Sequence, residues 1–479
     1  MGLRFGGSCG SCTAISATNN GGPPLTYNAD FNADGDTTDT NDTRTFYSGY
    51  VVLDITDPDN PTVINAFTSA SLGLTTGYPT VVRVSPSGDG KTDHSNAKFY
   101  MVVGSGPHGY DGKASAGANL FAAELVLPGA SSRVISTLPV LDDLSGAAGT
   151  SYSSFMGHPI TYDRDLDFRS DAVYVGRAIA PTGSHATWWG KFYRLMMGTC
   201  SAAPCKPDTS SGTWGIDGKV SGTRIPTEMV TLVPVASPAV DLGPVTVSPA
   251  VTLDDAGNSW LFFGTGRYFS AADKANMDRQ HLVGVKDKVV AGTCPSGGPP
   301  VPAQTLSGCL HNNLTNVTGV TVSGSTVTGA SSSTFSGLLT DISATDGWVI
   351  YMAAGDSSAG LGAERIIVNT TLIGGALFAP TFVPYTDTCT ASGKGYIYAT
   401  YYKSGTGYPE PILTDSSGTA QRRVYVGEGV ASSVSIQIGA EPTGMAGYIQ
   451  SSNSLLNKLT PNAPSTVWSQ YLSWNSERA

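Results

Sequence analysis

The chain has 479 residues, with 27 Lys and Arg against 37 Asp and Glu, a formal charge of −10. Charged residues make up 13%, about half the usual share of about 25%, and no Lys/Arg-rich run occurs, which excludes an electrostatic nucleic-acid binder. No apolar run reaches the roughly 18 residues of a transmembrane helix, while 40% apolar residues suffice for a sizeable core.

The first segment, Met1 to Cys12, carries one Arg and no apolar stretch, so it does not read as a secretory signal. The remainder is poor in Lys and rich in Ser, Thr, Asn and Gly, as exported proteins are, and the expectation is a piece of a longer exported protein. Cys9 and Cys12 form C-x-x-C, followed by Thr13 where a haem attachment needs His. No second such pair completes a zinc ribbon, so a structural pairing is expected. Residues 1–45 read as a loop-rich segment and 46–479 as one large β domain. Within the first part, Asp30, Asn32, Asp34 and Asp36 stand at positions 1, 3, 5 and 7 of a calcium-loop pattern, with Gly35 at the glycine position. Position 12 is Asn41 rather than Glu. Such Asp/Asn/Gly runs are also ordinary surface turns, and both readings stand.

From residue 46 onward, short β-branched and aromatic runs dominate, bounded by turn residues. Several land on glycine: Lys98 to Gly106, Asp171 to Gly176, Trp260 to Gly266, and Arg423 to Gly429. Gly347 to Tyr351 and Lys394 to Tyr398 are similar runs. Glycines 104, 176 and 264 lie 176 − 104 = 72 and 264 − 176 = 88 residues apart, uneven intervals longer than the about 40–45 residues of a WD-type repeat. The expected fold is all-β, a modified β-propeller with long irregular loop insertions. A two-sheet sandwich is the other architecture these signals allow, although the chain is large for one. Glycines 104, 176 and 264 are expected to turn the chain with positive φ where inner strands crowd. Pro204 to Gly222 and Gly292 to Ser333 read as insertions, and Ser270 to Asp278 as about two helical turns. Cys200 with Cys205 and Cys294 with Cys309 read as local disulfides, which leaves Cys389 over.

The sharpest constellation is Asp163-Arg-Asp-Leu-Asp-Phe-Arg-Ser-Asp171. Asp163, Asp165, Asp167 and Asp171 occupy positions 1, 3, 5 and 9, and the Arg169 carbonyl position 7. That spacing lets oxygens converge on one hard cation, and an all-oxygen set selects Ca²⁺ over zinc. Phe168 replaces the usual position-6 glycine and Tyr174 the position-12 glutamate. An acidic turn without metal is the plainer reading. Catalytic patterns are thin. The six histidines never form H-E-x-x-H, Gly6 to Gly10 matches G-x-S-x-G only in the terminus, and neither a P-loop nor a Rossmann fingerprint occurs. Asp341 to Thr345 is a faint echo of an integrin-type metal motif.

Several segments, in order, resemble the C-terminal domain of the PilY family, the tip-associated proteins of bacterial type IV pili. Tyr50 to Pro58 resembles the family's L-D-x-T-D-P strand, and Asp163 to Gly176 its acidic loop leading into D-x-V-Y-x-G. Trp188 to Leu195 is a looser match. Pro244 to Val251, Phe263 to Tyr268 and Asp273 resemble P-x-x-x-x-P and F-G-T-G-R-[FY]. Gly347-Trp348, Glu364-Arg365, Pro384 with Cys389, Gly393 to Gly407 and Ser473-Trp474 follow. The resemblance covers residues 45–479. It implies a propeller with calcium on the Asp163–Asp171 loop, and a non-enzymatic role in pilus assembly, extension and retraction, adhesion and surface motility. The implied partners are type IV pilins or minor pilins at the pilus tip, outside the cell, with a surface or host ligand reached through an N-terminal region that this chain lacks. A calcium-binding quinoprotein dehydrogenase is the enzyme alternative, against which stand the missing adjacent Cys-Cys pair and tryptophan-docking repeat. A passive surface protein is the third.

Overall fold

In the computed structural model the described residues are 7–8, 25–28, 43–67, 69, 71–85, 96–108, 112–113, 117–125, 135–140, 152–164, 166–182, 185–197, 214–217, 224–234, 240–287, 310–387, 392–414, 419–438 and 445–464. All seven cysteines, the Asp30–Asp36 loop and Asp165 lie outside them, and so do the expected disulfides. The chain divides into two compact units: Met1–Trp260, Thr265–Asp273 and Lys286–Asn312 form the first, and Leu261–Gly264, Lys274–Val285 and Asn313–Ala479 the second.

Both units are built mainly of antiparallel strands. In the first, Tyr50–Asp54 pairs with Thr62–Phe67. Next comes a four-stranded meander in chain order, Thr80–Val84, Lys98–Gly104, Asn119–Glu124 and Ile135–Pro139. A third sheet places Ala172–Ile179 against Ser154–Met156 and Ile160–Tyr162 on one side and Trp189–Met196 on the other, with Thr227–Val230 beyond. Successive four-stranded meanders are the unit from which propellers are made.

The run Tyr100-Met-Val-Val103 is apolar throughout because both faces of its sheet are covered. Tyr100 and Val102 join one core with Val82, Leu120, Val173, Tyr193 and Trp214. Met101 and Val103 join the opposite one with Tyr50, Phe67 and Phe121. Alternate residues of one strand point to opposite faces, so a strand buried on both sides loses its polar alternation. Tyr174 and Arg194 alternate with the core residues Val173 and Tyr193 along their strands, so they lie on the opposite face of that sheet, in a buried polar group. Asp287 accepts from Arg194 Nη1 at 2.6 Å and from the Tyr174 hydroxyl at 2.6 Å.

In the second unit, Gly347–Tyr351 pairs antiparallel with residues 281–285 and parallel with Leu314–Asn316. Thr371–Ile373, Ala376–Pro384, Gly393–Tyr401 and Arg423–Glu428 form a further meander in chain order. Ser435–Ile438, Met445–Gln450 and Leu456–Leu459 form a three-stranded sheet. The fully buried carboxylate of Glu364 accepts from Thr381 Oγ1 at 2.5 Å, Arg423 Nε at 2.9 Å and the Ala353 amide at 3.3 Å.

Helix is scarce among the described residues, as expected. Ser270 to Asp278 yields only a 3-10 helix, Ala271–Ala275. The α-helix Phe335–Ser343 was not expected. Thr334 Oγ1 caps it by accepting the Gly337 amide at 3.2 Å, and Phe335, Leu338 and Ile342 supply a buried stripe. Asp341 lies on this helix and accepts from Ser332 Oγ at 2.7 Å, an ordinary local role. The supposed insertion up to Ser333 carries the strand Leu314–Asn316 and the hairpin Thr321–Ser323 with Thr326–Thr328.

The glycine expectation is corrected at three positions. Gly104, Gly176 and Gly264 do not take positive φ, whereas Gly266, Gly427 and Gly429 do, at 144°, 118° and 97°. What forbids a side chain at the first three is space. A Cβ on Gly176 would collide with Val245, one on Gly104 with Met156, and one on Gly264 with Ile366. Gly264→Ala is therefore expected to cost about 1–3 kcal/mol by overpacking, while Gly319→Ala, in open space, is expected to be near neutral. Urea unfolding of both variants checks this, and equal midpoints would refute the crowding account.

Candidate metal site on the Asp163–Asp171 loop

The loop joins two strands of one hairpin. Ile160, Thr161 and Tyr162 face Tyr174, Val173 and Ala172 in antiparallel register, and the Asp171 amide donates to the Tyr162 carbonyl at 2.9 Å. Every residue of Ala172–Ile179 is buried, so the loop stands on a fixed base.

Within the loop the carboxylates turn inward onto backbone. Asp163 accepts from the amides of Asp167 at 3.2 Å and Phe168 at 2.8 Å, one on each oxygen. Asp171 Oδ2 accepts the Arg164 amide at 2.7 Å, and Asp167 Oδ1 the Arg169 amide at 2.8 Å. Position 1 of the expected pattern thus caps the amides of positions 5 and 6. Phe168, at position 6, has φ 66° and Leu166 has φ 56°. The left-handed conformation at position 6 is what calcium loops use glycine for, and a non-glycine residue there costs about 1–2 kcal/mol. The loop adopts this turn despite the cost.

Two residues distant in sequence, Arg83 and Gly257, hold it in place. Arg83, on Thr80–Val84, donates through Nη1 to the Phe168 carbonyl at 2.5 Å. The Arg83 amide donates to Ser170 Oγ at 3.1 Å, and the Ser170 amide to the Arg83 carbonyl at 2.8 Å. Arg164 Nη2 reaches the Gly257 carbonyl at 2.6 Å. No sequence signal marks Arg83 for this role.

The described donors suit a hard cation in type: carboxylates of Asp163, Asp167 and Asp171 on one short loop, held by amides. Arg169 Nε lies 3.7 Å from Asp167 Oδ2 and neutralises part of that charge. Among the described residues no group of three or more Asp, Glu, His or Cys side chains gathers at metal-holding distance. Asp165, the expected position-3 ligand, is outside them. Leu166 and Phe168 are exposed at 73% and 63%, so the tip of the loop offers apolar surface.

No family model matches the chain. A type IV pilus biogenesis factor PilY1 homolog of Xylella fastidiosa is 30% identical over 158 residues, 33% of this chain and 11% of that protein. The crystal structure of the Pseudomonas aeruginosa PilY1 C-terminal domain superposes with a TM-score of 0.53 at 17% identity, covering 92% of this chain and 84% of that one. The chain is thus similar in sequence, over a third of its length, to one PilY1 homolog, and in fold to the C-terminal domain of PilY1. The all-β architecture is accordingly that of the PilY1 C-terminal β-propeller. An exo-1,5-alpha-L-arabinanase from a bovine ruminal metagenomic library reaches only TM-score 0.30 at 10% identity, too low to bear on this chain. The match spans about a tenth of the Xylella PilY1 homolog's length. Among the described residues no helix is long and apolar enough to cross a membrane.

Proposed function

We propose that this PilY-like domain is a calcium-responsive part of a type IV pilus biogenesis protein, acting outside the cell with pilins or minor pilins and catalysing no reaction. Asp163, Asp165, Asp167 and Asp171, with the Arg169 carbonyl, would hold one Ca²⁺. The observation that carries the reading is the Asp163 cap on the Asp167 and Phe168 amides with Phe168 in the left-handed conformation. A bound ion would neutralise carboxylates that otherwise repel one another. The loop's order, and the presentation of Leu166 and Phe168, would then follow calcium, which is how a local charge change biases a docking face. Control of pilus extension and retraction, adhesion and surface motility are the outputs this device would serve. The Asp30, Asn32, Asp34 and Asp36 loop is proposed as a second calcium site from its spacing alone.

Calorimetric titration of calcium tests the reading. Wild type is expected to bind one ion at the loop. Asp165→Ala is expected to weaken that site at least about tenfold, a change of about 1.4 kcal/mol. Phe168→Gly, which removes the left-handed penalty, is expected to bind as tightly or tighter. Calcium at about 100 times its Kd should stabilise the fold by about 2.7 kcal/mol. Bacteria carrying Asp165→Ala should make normal amounts of protein and show altered piliation or twitching. Undiminished affinity in Asp165→Ala, or unchanged pili at every calcium level, would overturn the proposal.

A further inference from the structure

In the second unit, the outer strand of a sheet gathers tyrosines and charges of both signs on one side. Arg423–Glu428 is the last strand of its meander. Register pairs Lys394 with Glu428 and Tyr396 with Tyr425, and a shift between Gly395 and Tyr396 interrupts the ladder. Gly427, with φ 118°, lies on the strand opposite this shift, and the irregularity lets Glu428 return to the side of Tyr425. There Glu428 Oε1 accepts two phenols, from Tyr425 at 2.9 Å and from Tyr385 at 3.0 Å. The rings of Tyr396 and Tyr425 stand 5.4 Å apart, edge to face. The Arg423 guanidinium lies 3.4 Å from the Tyr396 centroid and is anchored behind by Glu364. Tyr425 is 50% exposed, while Val424 and Val426 pack on the core side.

We propose that this face binds a neutral, hydroxyl-rich ligand, the pyranose rings of an uncharged glycan. The argument is one of charge complementarity. Arg423 and Lys394 disfavour a cationic ligand and Glu428 an anionic one. The exposed Tyr425 ring accepts the apolar C–H side of a sugar ring, as amphipathic aromatic rings do at interfaces. Glu428, held by two phenols, is an oriented acceptor for sugar hydroxyls, and Lys394 is a donor beside it. Hydrogen bonds with one ionised partner are the stronger kind. Tyr425 and Tyr385 keep their protons as donors. The hydrogen bond to Glu428 raises the first phenol, and desolvation followed by that bond raises the second. The platform belongs to the second unit and involves no residue of the Asp163–Asp171 loop.

The test is titration of the full chain with cellohexaose, maltohexaose and mannohexaose up to about 20 mM, alongside a chitosan hexamer and hexagalacturonate as charged probes. At least one neutral hexasaccharide is expected to bind saturably and more tightly than both charged ones. Tyr425→Ala should weaken that binding about tenfold or more, Tyr425→Phe by no more than about threefold, and Glu428→Gln severalfold. If Tyr425→Ala unfolds, the ordering of Tyr425→Phe and Glu428→Gln decides instead. Absence of binding to all three neutral probes, tighter binding of either charged one, or variants indistinguishable from wild type would overturn the proposal.

Discussion

Asp287→Ala is expected to destabilise the first unit by about 3–5 kcal/mol, the cost of breaking a buried ion pair from one side. Arg194 is 3% exposed and Asp287 6%, so the abandoned guanidinium has little access to water. The Tyr174 hydroxyl loses its acceptor at the same time. Replacing the whole group by apolar residues (Arg194→Met, Tyr174→Phe, Asp287→Leu) should recover most of the loss, because no charge is left stranded. Urea unfolding followed by circular dichroism measures both. A single variant within about 1 kcal/mol of wild type would show that water reaches the pair. The same group sets an alkaline limit. Burial first, and then the neighbouring Asp287, hold the Tyr174 phenol well above its ordinary 10.0. Its contribution is therefore complete below about pH 10 and is lost as pH climbs toward the folded value.

In the second unit, Glu364→Ala is expected to cost about 2–4 kcal/mol. The carboxylate is fully buried and holds Thr381, Arg423 and the Ala353 amide together. Arg423 is itself 34% exposed, so solvent screens part of that pair and the expected loss stays below that of Asp287. Glu364→Gln keeps an acceptor and should lose roughly half as much. Burial, and then Glu364, hold the Tyr398 phenol above the ordinary range, so this network also favours the protonated phenol. Denaturation midpoints in the order wild type, Gln, Ala are the expected result. Equal midpoints for Gln and Ala would mean that charge, not hydrogen bonding, is what the site supplies.

Much of the architecture was legible from residues close in sequence. The runs Lys98 to Gly106 and Asp171 to Gly176 announce strands, and the structure shows why Tyr100 to Val103 lacks polar alternation: both its faces are covered. The loop from Asp163 to Asp171 carries its own spacing, and its internal caps join residues four or five apart. Such features depend on the local period of the backbone, which the sequence carries directly.

Tertiary structure alone decided the rest. Arg83 clamps Ser170 from 87 residues away, and Asp287 meets Arg194 and Tyr174 across 93 and 113. Tyr385, Tyr396 and Tyr425 converge on one face only because neighbouring strands pair in one register and a bulge turns Glu428 round. The glycines at 104, 176 and 264 look in sequence like turn residues, yet what selects them is the side chain that packs against each. A chain's local periodicity determines which segments become strands and loops. Which side chains then share a buried volume depends on how the sheets pack, and no short stretch of sequence encodes that.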